Sequence, residues 1–430
     1  MISPFEMKTT RCLAVVLGLV FVGLTLQNVF WGFDDPDSEV MRDRGDVPLP
    51  VEVALVQEST EGPPSKLRYH KELEKGRQLA KELREISLRF FDSSLAESYE
   101  WKAKWPEATK KLKDHKPVLQ EAAIDWFLEC ESPDVKLVEI ASAISNEVYI
   151  AGDMEMAWTL LQKIRQFIPQ KDDILLLRRI ALVAVKTNRY EQAVEFLSKP
   201  GAKDSIEELE SQVDKNLLIM CPLMIEKWNA EKPVRDKELE ADDLPRVKLE
   251  MSTGDVVVEL FENEAPEAVA SFITLVESGF YDDSVFLPVV SSVVAQTGYY
   301  NRTKKDPMDY TIKNESRLPS ARDHFVGSLS MVGNKGGRGD ASSIFAIMMV
   351  PNPDLDWDRT EEDEVSQTVF GRVVSGMDRV FALPATVEID PETLEEKPIR
   401  NSNPGYIVKA TVIRKRDHQY TFEKTRIENK

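Results

Sequence analysis

The spacing of hydrophobic and polar positions changes character three times along this chain, and each change predicts a different kind of element. From Cys12 to Phe33 the text CLAVVLGLVFVGLTLQNVFWGF carries no charge. As a helix it would span roughly 33 Å, enough for a hydrocarbon core. Lys8 and Arg11 precede it and an acidic stretch follows. The positive-inside rule then puts residues 1–11 in the cytoplasm and the bulk of the chain outside it, periplasmic in a bacterium. The expectation is an uncleaved single-pass membrane anchor over 12–33, with a cleaved signal peptide as the rival reading. Residues 34–64, rich in acids and prolines, read as a linker.

From Lys66 the period becomes helical. LRYHKELEKGRQLAKELREISLRFF places apolar residues three and four apart, the mark of a long amphipathic helix. Two later segments, YIAGDMEMAWTLLQKIRQFIP and VKTNRYEQAVEFLSKP, align Gly152 with Asn188, Met154 with Tyr190 and Ala157 with Ala193. A small alanine lets neighbouring helices approach, and Gly or Asn permits a tight turn. The spacing suggests tetratricopeptide-like helical pairs over 65–235, against the plainer reading of a helical bundle. This region shows no clustering of catalytic residue types, so its expected role is docking a protein partner or spacing rather than chemistry. A polar stretch, 236–247, reads as a second linker.

After Arg246 the period falls to two. VKLEMSTGDVVVELFE is strand, turn and strand. Ala265–Gly279 follows as one helix, with Pro266 in its first turn and Gly279 at its C-terminal end. Short strands fill most of the rest of 248–418, leaving 419–430 as a tail. One helix on many short antiparallel strands predicts a closed barrel, which removes edge strands.

Composition narrows the function. The 430 residues carry a formal net charge of −19 with 42% apolar and 30% charged residues, a globular balance that argues against broad contact with nucleic acid. Three cysteines are too few for a disulfide scaffold. His70, His115, His324 and His418 are scattered, and no pair has metal-ligand spacing. His324 reads as a structural histidine. Asp354, Asp356 and Asp358 begin like a calcium loop, but Arg359 and Val365 stand where its glycine and glutamate belong. Asn301 and Asn314 open glycosylation sequons.

The blocks VKLEMSTGDVVVELFENEAPEAVASFITLVESGFYDDSVF, AQTGYY, YTIKNE, FVGSLSM, VPNPDLD and TVFGRVVSGMD, in this order, resemble the cyclophilins, the peptidyl-prolyl cis-trans isomerases. The resemblance covers about 248–415. It implies an eight-stranded antiparallel barrel with two capping helices and a peptide groove on one face. It also implies a chemistry without metal or cofactor. An arginine guanidinium favours the single-bond-like nitrogen of the twisted prolyl amide, whose rotation barrier is about 20 kcal/mol, while a dry aromatic pocket holds the ring.

Against that pattern the chain departs where the chemistry sits. The family reads Phe-His-Arg-Val where this chain has Phe286, Leu287, Pro288 and Val289. The arginine position is thus Pro288, which has neither cation nor backbone donor. The groove's Phe-Met pair is Val293 and Val294, while its glutamine is kept as Gln296. Further on, Ser342-Ser343-Ile344-Phe345-Ala346 replaces Gly-Ser-Gln-Phe-Phe, so a second glutamine is Ile344 and the aromatic floor is Ala346. Asp354 stands before Leu355 where an aromatic or histidine is expected, and Gln367 replaces the histidine ahead of Thr-Val-Phe-Gly. Arg338, in a glycine-rich loop that the resemblance places along the groove, is the best candidate for a substitute cation, against the plainer reading of a solvated loop arginine. Two functions follow as expectations: a protein that binds extended or proline-containing polypeptide with weak or no isomerase activity, or an active isomerase with a rearranged groove.

Overall fold

The computed structural model describes residues 62–92, 95–168, 173–209, 212–299, 310–333, 341–357, 366–389 and 396–426. The chain divides into two compact units, Met1–Asn146 with Gln166–Ile168, and Glu147–Arg165 with Pro169–Lys430. In the first, α1 (Pro64–Asp92) and α2 (Leu95–Glu129) pack on each other, with the Tyr69 and Trp126 rings 5.0 Å apart across the pair. Arg68 reaches Asp125 (2.6 Å) and Glu121 (3.0 Å) across the pair, and the His115 ring nitrogen bonds the Glu72 carbonyl (2.8 Å). The helix α3 (Val135–Ala151) begins in this unit and ends in the next.

The second unit opens with a helical layer: α4 (Met154–Phe167), α5 (Ile174–Lys186), α6 (Tyr190–Leu197), α7 (Ala202–Glu207) and α8 (Gln212–Ala241). Asp173 caps α5, accepting from the amides of Leu175 and Leu176 (2.9 and 3.0 Å). The aligned turn residues Gly152 and Asn188 are both left-handed (φ +91° and +58°), and the aligned Ala157 and Ala193 are both fully buried. The polar stretch after residue 235 continues α8 to Ala241 rather than breaking it.

The sheet follows. Its strands are β1 (Arg246–Met251), β2 (Gly254–Leu260), β3 (Val289–Val290), β4 (Val294–Thr297), β6 (Ser328–Gly333), β7 (Ala341–Met348), β8 (Thr368–Ser375), β9 (Val387–Ile389), β10 (Glu396–Pro398) and β11 (Ile407–Arg414). A separate pair joins β5 (Tyr310–Thr311) to β12 (Thr425–Arg426). Two helices, α9 (Pro266–Glu277) and α10 (Met377–Phe381), flank the sheet. The core holds Phe272, Tyr281, Phe286, Phe345 and Phe370, with ring centroids of Phe272 and Phe345 5.3 Å apart and nearly perpendicular.

Two expectations are corrected here. The sheet order β10-β9-β3-β4-β7-β6-β8-β2-β1-β11 has two free ends, so the predicted closed barrel does not form. Residues 284–287 stand where a closing ladder would run, but they split their bonds between two neighbours. The Phe286 amide goes to Gly405 and the Leu287 amide to Gln296 (both 2.8 Å), leaving a single bridge, Val285 to Tyr406, toward the β11 side. The single-pass membrane placement, with an extracytoplasmic bulk, is likewise not supported by the described residues. No helix among the described residues is long and apolar enough to cross a membrane, because the long ones, α1, α2 and α8, carry charges throughout. The 12–33 run lies outside the described residues.

The helical layer α5–α8 and the sheet share one core. Leu177, Tyr190, Phe196, Cys221 and Met224 cluster with Phe325 and Val350 from the sheet region. Around this apolar seam runs an ion-pair lattice. Arg322 joins Glu231 and Glu238 of α8 (2.6 Å each), and Arg372 of β8 joins Glu238 (2.9 Å) and Glu259 of β2 (2.7 Å). Burial works against charge on Glu231, yet the Arg322 and Arg235 guanidiniums hold its carboxyl below the usual range. Cys221 lies buried at the seam, its thiol pushed up to about 12 by burial, while Cys130 is half-buried.

Candidate functional site

Alternation along β4 and β7 decides which predicted residues can meet a ligand. In the antiparallel register Gln296 faces Ala346 and Val294 faces Met348, so these four side chains share one side of the sheet. Ile344, two residues before Ala346, is on that side too. Gln296, Val294 and Ile344 are half-buried. Phe345 projects to the opposite side, and Phe286 lies with it in the core; both are 0% exposed and support the face from behind. Gly298, at the end of β4, has φ +94°, and a Cβ there would stand 2.2 Å from the Ser343 carbonyl oxygen, so the close approach of these strands requires glycine.

Pro288 sits half-buried at the head of β3, and its carbonyl accepts from the Gln296 amide (2.9 Å). None of the side chains on β3, β4 or β7 is cationic. Arg338 lies outside the described residues. Ala346, which the resemblance sets at the aromatic floor, is 1% exposed.

Beside Ala346, on the same side of the sheet, stands a buried polar chain. Ser330 of β6 pairs with Ala346 across the ladder. The Ser330 hydroxyl donates to the Gln367 side-chain oxygen (3.1 Å) and meets His324 Nε2 (2.8 Å). His324 Nδ1 lies 2.7 Å from Asp356 Oδ1, which also accepts from the His324 amide (3.0 Å). Lys227 of α8 closes the chain, with its Nζ 3.1 Å from Asp356 and 2.9 Å from Asp323. Burial opposes charge on Asp356, but the bond from His324 and the Lys227 ammonium hold its carboxyl below the usual range. Asp323 yields instead: burial, then the charge of Asp356, push it up to about 6. Serine, histidine and aspartate stand in the order of a nucleophilic triad. Ser330 is nevertheless fully buried and its proton is committed to Gln367, so the arrangement is structural. His324 is therefore a satisfied core histidine, as its sequence context suggests.

Leu355 ends a short 3-10 turn (Pro353–Leu355), half-buried, and its carbonyl accepts from the Gln367 amide (3.0 Å), which ties two predicted groove positions together. Asp354 is exposed while Asp356 is turned inward, so these alternate carboxylates do not converge, and Asp358 lies outside the described residues. The Asn314 side-chain nitrogen donates to the Ser366 carbonyl (2.8 Å), which draws this sequon into the fold; Asn301 lies outside the described residues. Sequence reasoning missed Lys227, Ser330 and Asp356 as one unit. Lys227 comes from the helical layer, and no spacing in the sequence links it to residues a hundred positions away.

The family described as cyclophilin type peptidyl-prolyl cis-trans isomerase/CLD matches residues 246–404. A Helicobacter pylori peptidyl-prolyl cis-trans isomerase is 31% identical over 147 residues, 34% of this chain and 84% of that protein. A Synechococcus elongatus peptidyl-prolyl cis-trans isomerase is 32% identical over 140 residues, 31% of this chain and 92% of that protein. A cyclophilin type isomerase from Cryptosporidium parvum, solved in the presence of the dipeptide Ala-Pro, is 22% identical, covers 39% of this chain and 98% of its own, and has a TM-score of 0.29. Through its C-terminal sheet region this chain belongs to the cyclophilin-type peptidyl-prolyl cis-trans isomerase family.

Proposed function

We propose that the chain binds extended, proline-containing polypeptide on the face of Gln296, Val294 and Ile344, and that it speeds prolyl rotation weakly or not at all. One observation carries this reading: Pro288 stands at the arginine position, on strands whose side chains include no cation. Losing a charge-assisted hydrogen bond made in the transition state removes about 2.7–4 kcal/mol, a hundred- to thousandfold in rate. Replacing an aromatic floor by Ala346 removes ring contacts as well, and the two losses do not add. Gln296 keeps a side-chain amide able to bond a peptide carbonyl.

The test is a titration of a fluorescein-labelled proline peptide with the full chain, read by anisotropy, beside a protease-coupled turnover assay of the same peptide. The expected result is saturable binding that Gln296→Ala weakens about tenfold, without turnover above the spontaneous rate. Turnover abolished by Gln296→Ala would instead establish an isomerase with a rearranged groove.

A further inference from the structure

We infer that His324 is a positioning residue: held as an imidazolium inside the sheet unit, it directs Ser330 so that the Gln367 side-chain NH2 is left for a carbonyl oxygen of the ligand. The ligand is thus a polypeptide gripped at a carbonyl, which rests on the peptide-binding reading above.

Counting protons along the chain gives the assignment. The Ser330 hydroxyl oxygen and the Gln367 side-chain oxygen stand 3.1 Å apart, and an amide oxygen carries no proton. The single Ser330 proton therefore lies between them. The same hydroxyl oxygen is 2.8 Å from His324 Nε2, so that nitrogen is the donor. At the other edge of the ring Nδ1 lies 2.7 Å from Asp356 Oδ1, which also accepts from the His324 amide (3.0 Å). The Asp356 carboxyl is held below the usual range and offers no proton, so Nδ1 donates as well. A ring that donates from both nitrogens is an imidazolium. The surrounding charges match a second cation, since Lys227 and His324 stand against Asp356 and Asp323. His324 and Ser330 are 0% exposed, which leaves these bonds as the ones that fix each proton.

The consequence falls on Gln367, which is half-buried. With its oxygen turned to Ser330, its side-chain nitrogen meets no acceptor among the described residues. A neutral ring would reverse the chain. Nε2 would accept from Ser330, the Ser330 oxygen would take the Gln367 NH2, and the amide would present its oxygen instead, which a peptide carbonyl meets without a bond. The proton on Nε2 decides whether Gln367 offers a donor or an acceptor.

The test is the histidine ring-nitrogen spectrum of the isotope-labelled full chain at pH 7, with His324 identified by its through-space contacts to Ser330. Beside it, a fluorescein-labelled proline peptide is titrated and read by anisotropy. A second sample carries Asp356→Asn, which keeps the side chain's shape but removes the charge that holds the second ring proton. The expected result is an imidazolium in the parent, its two nitrogens resonating together. In Asp356→Asn the pair should split widely, as in a neutral ring, and peptide affinity should fall about tenfold. A neutral ring in the parent overturns the inference, and that spectrum decides even where Asp356→Asn fails to fold. A neutral ring in the variant with affinity within about twofold of the parent overturns the link to Gln367. Failure of the parent to bind any proline peptide overturns the peptide-binding reading itself, an outcome distinct from a neutral ring.

Discussion

Lys227→Met probes the joint between helical layer and sheet most sharply. The Lys227 side chain is 9% exposed, and its ammonium stands 2.9 Å from Asp323 and 3.1 Å from Asp356. At an effective dielectric near 20, each pair at about 3 Å attracts by roughly 5–6 kcal/mol, much of which offsets the cost of drying three charges. The substitution removes the attraction and leaves that cost on the carboxylates. Asp356, its side chain 3% exposed, bears it fully, whereas Asp323, 31% exposed, is partly relieved by water. Breaking a buried pair typically costs 3–5 kcal/mol, and with one carboxylate partly wet the expected loss at pH 7 is about 3 kcal/mol. Because two compact units need not unfold together, the assay is amide hydrogen exchange resolved to α8 and β6, which reports this joint alone. Lys227→Met combined with Asp323→Asn should recover about half the loss, since one stranded charge is then gone. A loss below about 1 kcal/mol in the single variant would refute the view that Lys227 braces the polar chain beside Ala346.

Asp323→Asn alone should flatten the pH profile of stability. A carboxyl raised to about 6 favours folding as the acid, so its contribution is complete below the unfolded value near 4 and is lost as pH rises through 6. The variant is expected to match or exceed the parent at pH 7 by about 1 kcal/mol, measured by the same exchange experiment; a clear loss at pH 7 contradicts the assignment. Asp356→Asn should do the opposite, since a lowered carboxyl stabilises above its unfolded value and loses that contribution on acidification. Gly298→Ala, forced into φ +94° with its Cβ against the Ser343 carbonyl, should cost about 3 kcal/mol and broaden amide signals of β4 and β7. Glu315→Gln should cost about 1 kcal/mol by thermal unfolding of the sheet unit, because the Glu315 oxygens accept from the Glu267 and Ala268 amides at the start of α9 (3.0 and 2.9 Å) and one acceptor is lost.

Much of the architecture was legible in the periodicity. The α9 helix, the β1–β2 hairpin and the helical character of the layer before them follow from patterns that burial enforces. So does the split of residues 344–346, where alternation alone sends Phe345 inward and leaves Ile344 and Ala346 on the face. Closure was not legible, because whether residues 284–287 complete a ladder depends on where Gly405 and Gln296 stand, not on their own composition. The fusion of layer and sheet was hidden for a similar reason. Glu231 and Glu238 look like solvated residues in a charged stretch until Arg322 is brought beside them, and Val293 looks like any strand valine until Tyr190 and Trp228 gather around it. That Pro288 brings no charge, by contrast, needed only the sequence, since no fold can supply a charge that the residue lacks.

The proposed function turns on the uncharged residue at Pro288, and magnetisation-exchange NMR on a proline peptide reads its consequence directly. The interconversion rate of the cis and trans forms, followed with catalytic amounts of the full chain, should stay within about threefold of the spontaneous rate. An acceleration of a hundredfold or more that disappears with Gln296→Ala would contradict the account.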